Sequence, residues 1–272
     1  MIKRCVSFKL FIFLFILFLC FSVSISFFNC SKDNPVDSQE SYLNISDIHI
    51  SLYWDLGIWD ACRESTEQML IGLGCNYTKI NRDSILYGNL NKFNMLFIPA
   101  GNPEIYLEYL NLDVQNRIRN FVRQGGGYIG ICGSAYFAVE NAIWRGWYWE
   151  ARKYIQFNGL GIFPGTADGP IEDFAPTYKD RNCEILFANK NHPITSNLPD
   201  TLRYTYEHGP AFLTTSNNVS VLGRTVNGNN PVVVSCQYYS GKVFLSTNHP
   251  EWDTTRTSWG LVKNAILWCS NR

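Results

Sequence analysis

Apolar and polar positions along the chain fall into short apolar runs separated by amphipathic ones. Residues 47–54 (DIHISLYW) read as a first strand, and Ile58 to Leu73 carries apolar residues at roughly helical spacing up to Gly74. Tyr77 to Ile80 predicts a second short strand. Met95-Leu-Phe-Ile-Pro99 is a strand that runs into the Ala100-Gly101-Asn102-Pro103 loop. Leu112 to Gln124 places Val114, Ile118, Phe121 and Val122 on one helical face, and Gly125 closes it. Tyr128-Ile129-Gly130-Ile131, short and bounded by glycines, has the profile of a buried parallel strand. Strands and helices alternating at this spacing imply βαβ units, a parallel sheet with helices on both faces, and active residues at the carboxyl ends of strands.

After Ile131 come Cys132 and the small residues Gly133, Ser134 and Ala135, then a helix-compatible run to about Ala142. The next segments are the tryptophan-dense Ile143 to Trp149 and a turn-rich, irregular stretch from Gly159 to Pro170. The aromatic stretch suits packing inside the fold or, less commonly, an exposed surface for sugars or lipids. Short strands are expected at Glu184 to Phe187, Tyr204 to Glu207 and around Phe212. Val219 to Gly223, Pro231 to Tyr238 and Lys242 to Ser246 predict a C-terminal β-meander with a hairpin turn at Ser240-Gly241, and Trp259 to Trp268 a closing helix.

The N-terminus departs from this pattern. Basic residues Lys3, Arg4 and Lys9 precede an apolar run from Leu10 to Leu19 that trails through Phe28. This is the layout of an export signal over residues 1–30, the alternative being an uncleaved anchor. Cys30-Ser-Lys-Asp-Asn34 resembles the start of a mature bacterial lipoprotein, with Cys30 the acylated residue. A polar tether over residues 31–46 would then lead into a domain over 47–272. The expectation is an exported protein held at the cell envelope through Cys30.

Twenty-three acidic and 23 basic residues balance, so nothing points to nucleic acid, and 46% hydrophobic with 15% aromatic residues describes an ordered core. Six of the nine cysteines lie beyond Cys30, and in an exported chain they could form disulfides. No CxxC spacing occurs, so neither a zinc site nor any other cofactor is expected.

Gly130-Ile-Cys-Gly-Ser134 has the logic of a nucleophile elbow: a strand, a sharp turn flanked by small residues, then a helix. A buried structural cysteine beside a tight turn fits the same residues. A thiol nucleophile needs a base that holds a proton near neutral pH, and the base needs an orienting acceptor. His249, at the end of the Lys242 to Ser246 strand, and Glu251 two residues later can supply both. Of the other histidines, His192 reads as a turn residue and His49 as part of the first strand.

With these residues in view the chain resembles the class I glutamine amidotransferase-like family. Within that family it is closest to the N-terminal domain of eukaryotic-type biotin–protein ligases and its free-standing bacterial relatives. The resemblance rests on Ile98-Pro-Ala-Gly101, Gly125 to Tyr136, Leu160 to Pro170, Gly241 to Ser246 and His249-Pro-Glu251, and spans about residues 47 to 270. It implies a three-layer α/β fold with a mostly parallel, flavodoxin-like sheet. It also implies Cys132 as nucleophile, His249 as base, Glu251 as its orienter, and the amides of Gly101 and Gly133 as an oxyanion hole. The helix after Cys132 would lower the thiol pKa. Asn102, Ser134, Tyr136 and His208 become possible cleft residues. Two positions depart from the family: Ser134 and Ala100 stand where glycine is usual. No stretch matches the biotin ligase catalytic domain, and no synthase domain is there to receive ammonia.

The resulting expectation is a thiol hydrolase or amidase acting on an amide or ester carbonyl of an unknown small-molecule or envelope substrate. A non-catalytic binding protein and a structural envelope lipoprotein are the alternatives.

Overall fold

A computed structural model of the chain describes residues 44–146, 154–172, 174 and 181–271. The expected signal segment, Cys30 and the tether up to residue 43 lie outside the described residues, as do Trp147 and Trp149. The first half runs β1 (His49–Tyr53), α1 (Asp60–Gly72), β2 (Asn76–Ile80), α2 (Arg82–Tyr87), β3 (Met95–Ile98), α3 (Pro103–Tyr109), α4 (Leu112–Arg123), β4 (Gly127–Ile131) and α5 (Gly133–Ala138). There follow β5 (Val139–Trp144), β6 (Ile155–Asn158), β7 (Phe163–Gly169), β8 (Arg181–Leu186), β9 (Thr201–Tyr206) and β10 (Ala211–Leu213). The chain closes with β11 (Val219–Thr225), β12 (Pro231–Tyr238), β13 (Gly241–Ser246) and α6 (Trp259–Ser270).

Nine strands form one sheet in the order β2-β1-β3-β4-β13-β12-β11-β8-β9. The first five run parallel, as the βαβ pattern predicts, and every residue of β3 and β4 is buried. From β13 outward the pairings are antiparallel, which is the expected meander extended by the β8–β9 hairpin. The sheet is therefore parallel in one half and antiparallel in the other. Helices flank it. On one face Cys269 of α6 closes over Gly127, so a side chain at Gly127 would press on it. On the other, Tyr128 reaches α5 and donates to the Ser134 carbonyl at 2.9 Å. The predicted stripe on α4 is the buried one, with Val114, Ile118 and Val122 fully covered and Phe121 nearly so. Burial of each such side chain contributes about 1.5–3 kcal/mol.

Three expectations are corrected. The helix after Cys132 stops at Ala138 rather than Ala142, because Val139–Trp144 is drawn into a second, four-stranded sheet, β10-β7-β5-β6. Val139 is β-branched and stiff in χ1, and here it pairs with Phe163. The stretch from Gly159 to Pro170 is not irregular: its Phe163–Gly169 is the strand shared between β10 and β5. The hairpin turn lies one residue earlier than predicted, at Tyr239-Ser240, with Tyr238 paired to Gly241 and Tyr239 taking the positive φ of 52°. No disulfide links the described cysteines; the thiols of Cys132, Cys236 and Cys269 each donate to a different carbonyl.

Trp144, the described tryptophan of the aromatic stretch, is packed inside against Tyr136. Asp253 anchors the start of α6, accepting from the Ser258 amide at 2.7 Å, the Thr255 amide at 3.0 Å, and the hydroxyls of Thr255, Thr257 and Ser258. Among the described residues no helix is long and apolar enough to cross a membrane.

Candidate active site

The register of the parallel strands brings the chemistry together. Ser246 of β13 pairs with Ile131 of β4, so the residues leaving both strands emerge side by side above the sheet. The Cys132 amide donates to the Ser246 carbonyl at 2.8 Å, and the Cys132 carbonyl accepts from the Ala135 and Tyr136 amides at 3.0 and 3.1 Å. Pinned on both sides, Cys132 adopts φ 51° and ψ −106°, a left-handed conformation that costs a non-glycine residue about 1–3 kcal/mol. This is the elbow that the small flanking residues predict.

Its neighbours show why glycine stands where it does. A Cβ on Gly133 would fall on the carbonyl oxygen of Gly101, and a Cβ on Gly101 would fall on the carbonyl oxygen of Gly57. Three loops thus stack backbone on backbone. Ile58 and Gly101 form an isolated antiparallel bridge whose bonds run from Trp59 to Ala100 and from Asn102 to Gly57. That pattern leaves the Gly101 amide out of the bridge. Gly133 is the first residue of α5, where an amide has no intrahelical acceptor.

His249 leaves β13 on a loop clipped to the edge hairpin: its amide donates to the Thr205 carbonyl at 2.8 Å, and the Asn248 side chain to the Tyr204 carbonyl at 3.1 Å. The imidazole is fully buried and lies between two indoles, stacked on Trp252 at 4.1 Å and facing Trp59 at 6.3 Å. Its Nδ1 is 2.8 Å from Oε1 of Glu251, itself 4% exposed, while Nε2 and the second Glu251 oxygen have no hydrogen-bond partner among the described residues. Burial pulls the imidazole pKa down. The Glu251 carboxylate, then Cys132 and Cys62, push it up and win, holding it well above the ordinary value.

Cys132 and His249 shift one another's pKa, and for the thiol the net direction is upward. Burial pushes the Cys132 pKa up and outweighs the lowering by His249, with Glu207 and Glu251 pushing the same way as burial. This runs against the expectation of a lowered thiol pKa: desolvation is the largest influence on a cysteine only 2% exposed. The Cys132 thiol donates to the Glu207 carbonyl at 3.2 Å. Residues Glu207 to Gly209 lie across it as a cover, held by Tyr136, whose hydroxyl donates to the His208 carbonyl at 3.0 Å, and by Tyr206, whose hydroxyl donates to the Gly209 carbonyl at 2.9 Å.

The expected cleft residues prove to be supports. Asn102 caps α3 through its side-chain oxygen, which accepts from the Glu104 amide at 2.9 Å. Ser134, where glycine is usual, is buried: its hydroxyl accepts from the Ile131 amide at 2.7 Å and donates to the Ile98 carbonyl at 2.7 Å, joining the ends of β4 and β3. Tyr136 holds the cover. His208 contributes its backbone at φ 56°, its ring being buried near Trp144. His49 and His192 are structural: the first bonds Thr78, and the second accepts from the Ile194 amide.

Three residues at the site, Cys62, Trp59 and Trp252, have no signal in the sequence. Cys62 of α1 is fully buried with its sulfur 3.9 Å from Nδ1 of His249. Cys62, His249 and Glu251 form a group whose potential ligand atoms lie within 4.8 Å of one another. Trp252 and Trp59 were equally hidden, although Trp252 directly follows Glu251.

Comparison with known proteins agrees with this architecture. The chain is similar to the N-terminal module of the family described as Biotin-protein ligase, N terminal, which matches residues 61–264. A biotin–protein ligase of Schizosaccharomyces pombe is 26% identical over 167 residues, 58% of this chain and 25% of that protein. An uncharacterized protein of Chlamydia muridarum is 36% identical over 92 residues, 31% of this chain and 32% of that protein. The chain thus spans a third or less of the length of these relatives. Among solved structures, PurLQS from Thermotoga maritima superposes with a TM-score of 0.59 at 14% identity, covering 81% of this chain and 98% of that one. A glutamine amidotransferase from the same organism gives 0.54 at 10% identity, covering 83% and 99%. A ThuA-like protein of Bacteroides uniformis gives 0.57 at 15% identity, covering 85% and 94%. The fold is the class I glutamine amidotransferase-like one, and the chain belongs to the biotin–protein ligase N-terminal domain family.

Proposed function

We propose that the protein is a cysteine-nucleophile hydrolase that attacks an amide or ester carbonyl through Cys132, His249 and Glu251. The observation that carries this reading is the strained elbow at Cys132 combined with a buried imidazole held at 2.8 Å by a carboxylate. In the closed state the thiol keeps its proton. A substrate that displaces the Glu207–Gly209 cover removes the carbonyl the thiol donates to and readmits polar contacts, so the charge of His249 becomes the dominant influence and favours the thiolate, the thiol proton passing to solvent. Sγ then bonds to the carbonyl carbon, and the amides of Gly101 and Gly133 receive the developing oxyanion. His249 delivers a proton from Nε2 to the leaving group, and water, deprotonated by the same nitrogen, breaks the acyl–sulfur bond. Glu251 keeps the Nδ1 proton in place throughout.

The test is intact-mass detection of an acyl adduct on Cys132 after exposure to a panel of activated esters and primary amides. Adducts are expected on the wild-type protein and absent from Cys132→Ser, with turnover lost in His249→Ala. A folded wild-type protein that forms no adduct with any ester, even at high concentration, would sink the hydrolase.

A second reading draws on the same closure. Cys132 is 2% exposed and its thiol is tied to a backbone carbonyl, an arrangement that suits a fold kept for binding a small molecule or envelope component rather than for chemistry. A ligand that raises the melting temperature of wild-type and Cys132→Ser proteins equally, with no adduct, would favour it.

We also propose export and anchoring through a lipid on Cys30, supported by the basic start, the Leu10 to Leu19 apolar run and the polar residues after Cys30. Mass spectrometry of the processed N-terminus tests this; a Cys30→Ala chain that stays as firmly membrane-bound as the wild type would refute it.

A further inference from the structure

The triad reading makes no use of Cys62. This residue stands on α1, 187 positions before His249, and is fully buried with Sγ 3.9 Å from the imidazole Nδ1. The same Nδ1 is 2.8 Å from Oε1 of Glu251, and the second Glu251 oxygen is buried without a hydrogen-bond partner among the described residues. A sulfur, a ring nitrogen and a carboxylate oxygen therefore converge, all from buried residues, within 4.8 Å of one another.

We infer that Cys62, Nδ1 of His249 and Glu251 form a binding site for a borderline-soft divalent cation of the zinc class, and that an ion there switches the triad off. Two ligands of a tetrahedral zinc ion lie about 3–4 Å apart, given bonds of about 2.0–2.3 Å. The 3.9 Å separation falls within that range and the 2.8 Å one just below it, with no pair of ligand atoms more than 4.8 Å apart, so small side-chain adjustments suffice. A thiolate with an imidazole selects zinc over magnesium or calcium, which take oxygen donors. Three protein ligands leave the fourth position to water.

Binding forms metal–sulfur, metal–nitrogen and metal–oxygen bonds and breaks S–H of Cys62 and N–H of Nδ1, with both protons passing to solvent. No electron is transferred. The ring proton that remains sits on Nε2, and giving it up would leave a metal-bound imidazolate, so His249 becomes a poorer proton donor to the leaving group than the imidazolium it replaces. Glu251 at the same time ceases to orient the ring. The binding rests on the geometry alone; the inhibitory consequence rests on the hydrolase reading above.

The experiment is equilibrium dialysis of the reduced, chelator-treated full chain against Zn²⁺ alone, with bound metal measured by elemental analysis. One zinc per chain is expected. Cys62→Ser is expected to weaken binding by more than the roughly 10- to 100-fold that loss of an outer-shell partner costs, while Cys132→Ser leaves it unchanged. Because Cys62→Ser could fail to fold, Co²⁺ is added to Cys132→Ser as a second measurement, where a thiolate-to-cobalt absorption band must persist. Zinc that fails to bind the folded wild-type chain, that survives Cys62→Ser, or that gives no thiolate band in Cys132→Ser overturns the site. These readouts do not depend on turnover, so a protein that never hydrolyses anything can still bind the ion, and a working hydrolase can still lack the site.

Discussion

The thiol of Cys132 donates to the carbonyl of Glu207 at 3.2 Å, which ties the nucleophile to the turn that covers it. The turn is in turn fixed by Tyr136, whose hydroxyl holds the next carbonyl along, that of His208. Tyr136→Phe removes this tie and should cost about 1 kcal/mol of stability. It should also speed alkylation of Cys132 several-fold near neutral pH, where the wild-type thiol reacts slowly. Alkylation rates resolved by mass spectrometry check this, and an unchanged rate at Cys132 would mean that the turn does not control access.

Gly133 has no room for a side chain, since a Cβ would fall on the carbonyl oxygen of Gly101. Gly133→Ala should therefore destabilise the fold by about 1–3 kcal/mol, the range for overpacked cores. It should also push apart the two amides assigned to the oxyanion, so adduct formation falls more than stability does. Thermal melting read beside acyl-adduct yield separates the two effects.

Ser134 should prove better than either small alternative. Ser134→Ala and Ser134→Gly both strand the buried Ile131 amide, which now donates to the hydroxyl at 2.7 Å, and each should cost about 1–3 kcal/mol. Urea unfolding measures it. A fully stable Ser134→Gly would show that the strand ends need no bridge.

Alkaline pH should weaken the fold through its buried thiols. Burial pushes Cys62 and Cys236 up from 9.0 to about 12. In the unfolded chain they ionise near the ordinary value, so the stabilisation is complete below about pH 9 and is lost as pH rises toward the folded value, by up to about 1.4 kcal/mol per pH unit for each thiol. Urea midpoints across that window should fall steadily. A flat profile would mean that these thiols reach solvent in the native state.

Much of this site could be read from the chain. Glycines around Cys132, the apolar strand before it and the His249-Pro-Glu251 segment after another strand each carry a local signature of a turn or strand end. Residues whose roles depend on distant partners carry none. Cys62 is one apolar-face residue of α1 until the His249 loop arrives beside it, and Asn102 and Ser134 have side chains suited equally to a cleft or to a cap. Val139–Trp144 follows a helix-compatible run, and only its pairing with β7 and β6 decides that it is a strand. Thiol protonation is hidden for the same reason: the helix after Cys132 is local and visible, whereas the turn that covers the thiol comes 75 residues later.

These separations bear on how the chain acquires its site during synthesis. Cys132 emerges well before Glu207 and His249, and Cys62 precedes its imidazole neighbour by 187 residues. Contacts this remote close late, after the loops between them have been ordered. Until then Cys132 is an ordinary thiol among other reduced cysteines, open to any oxidant or disulfide exchange partner it meets. Wherever an oxidant is present the chain must therefore bury its cysteines faster than they cross-link, and the last residues to arrive decide the outcome.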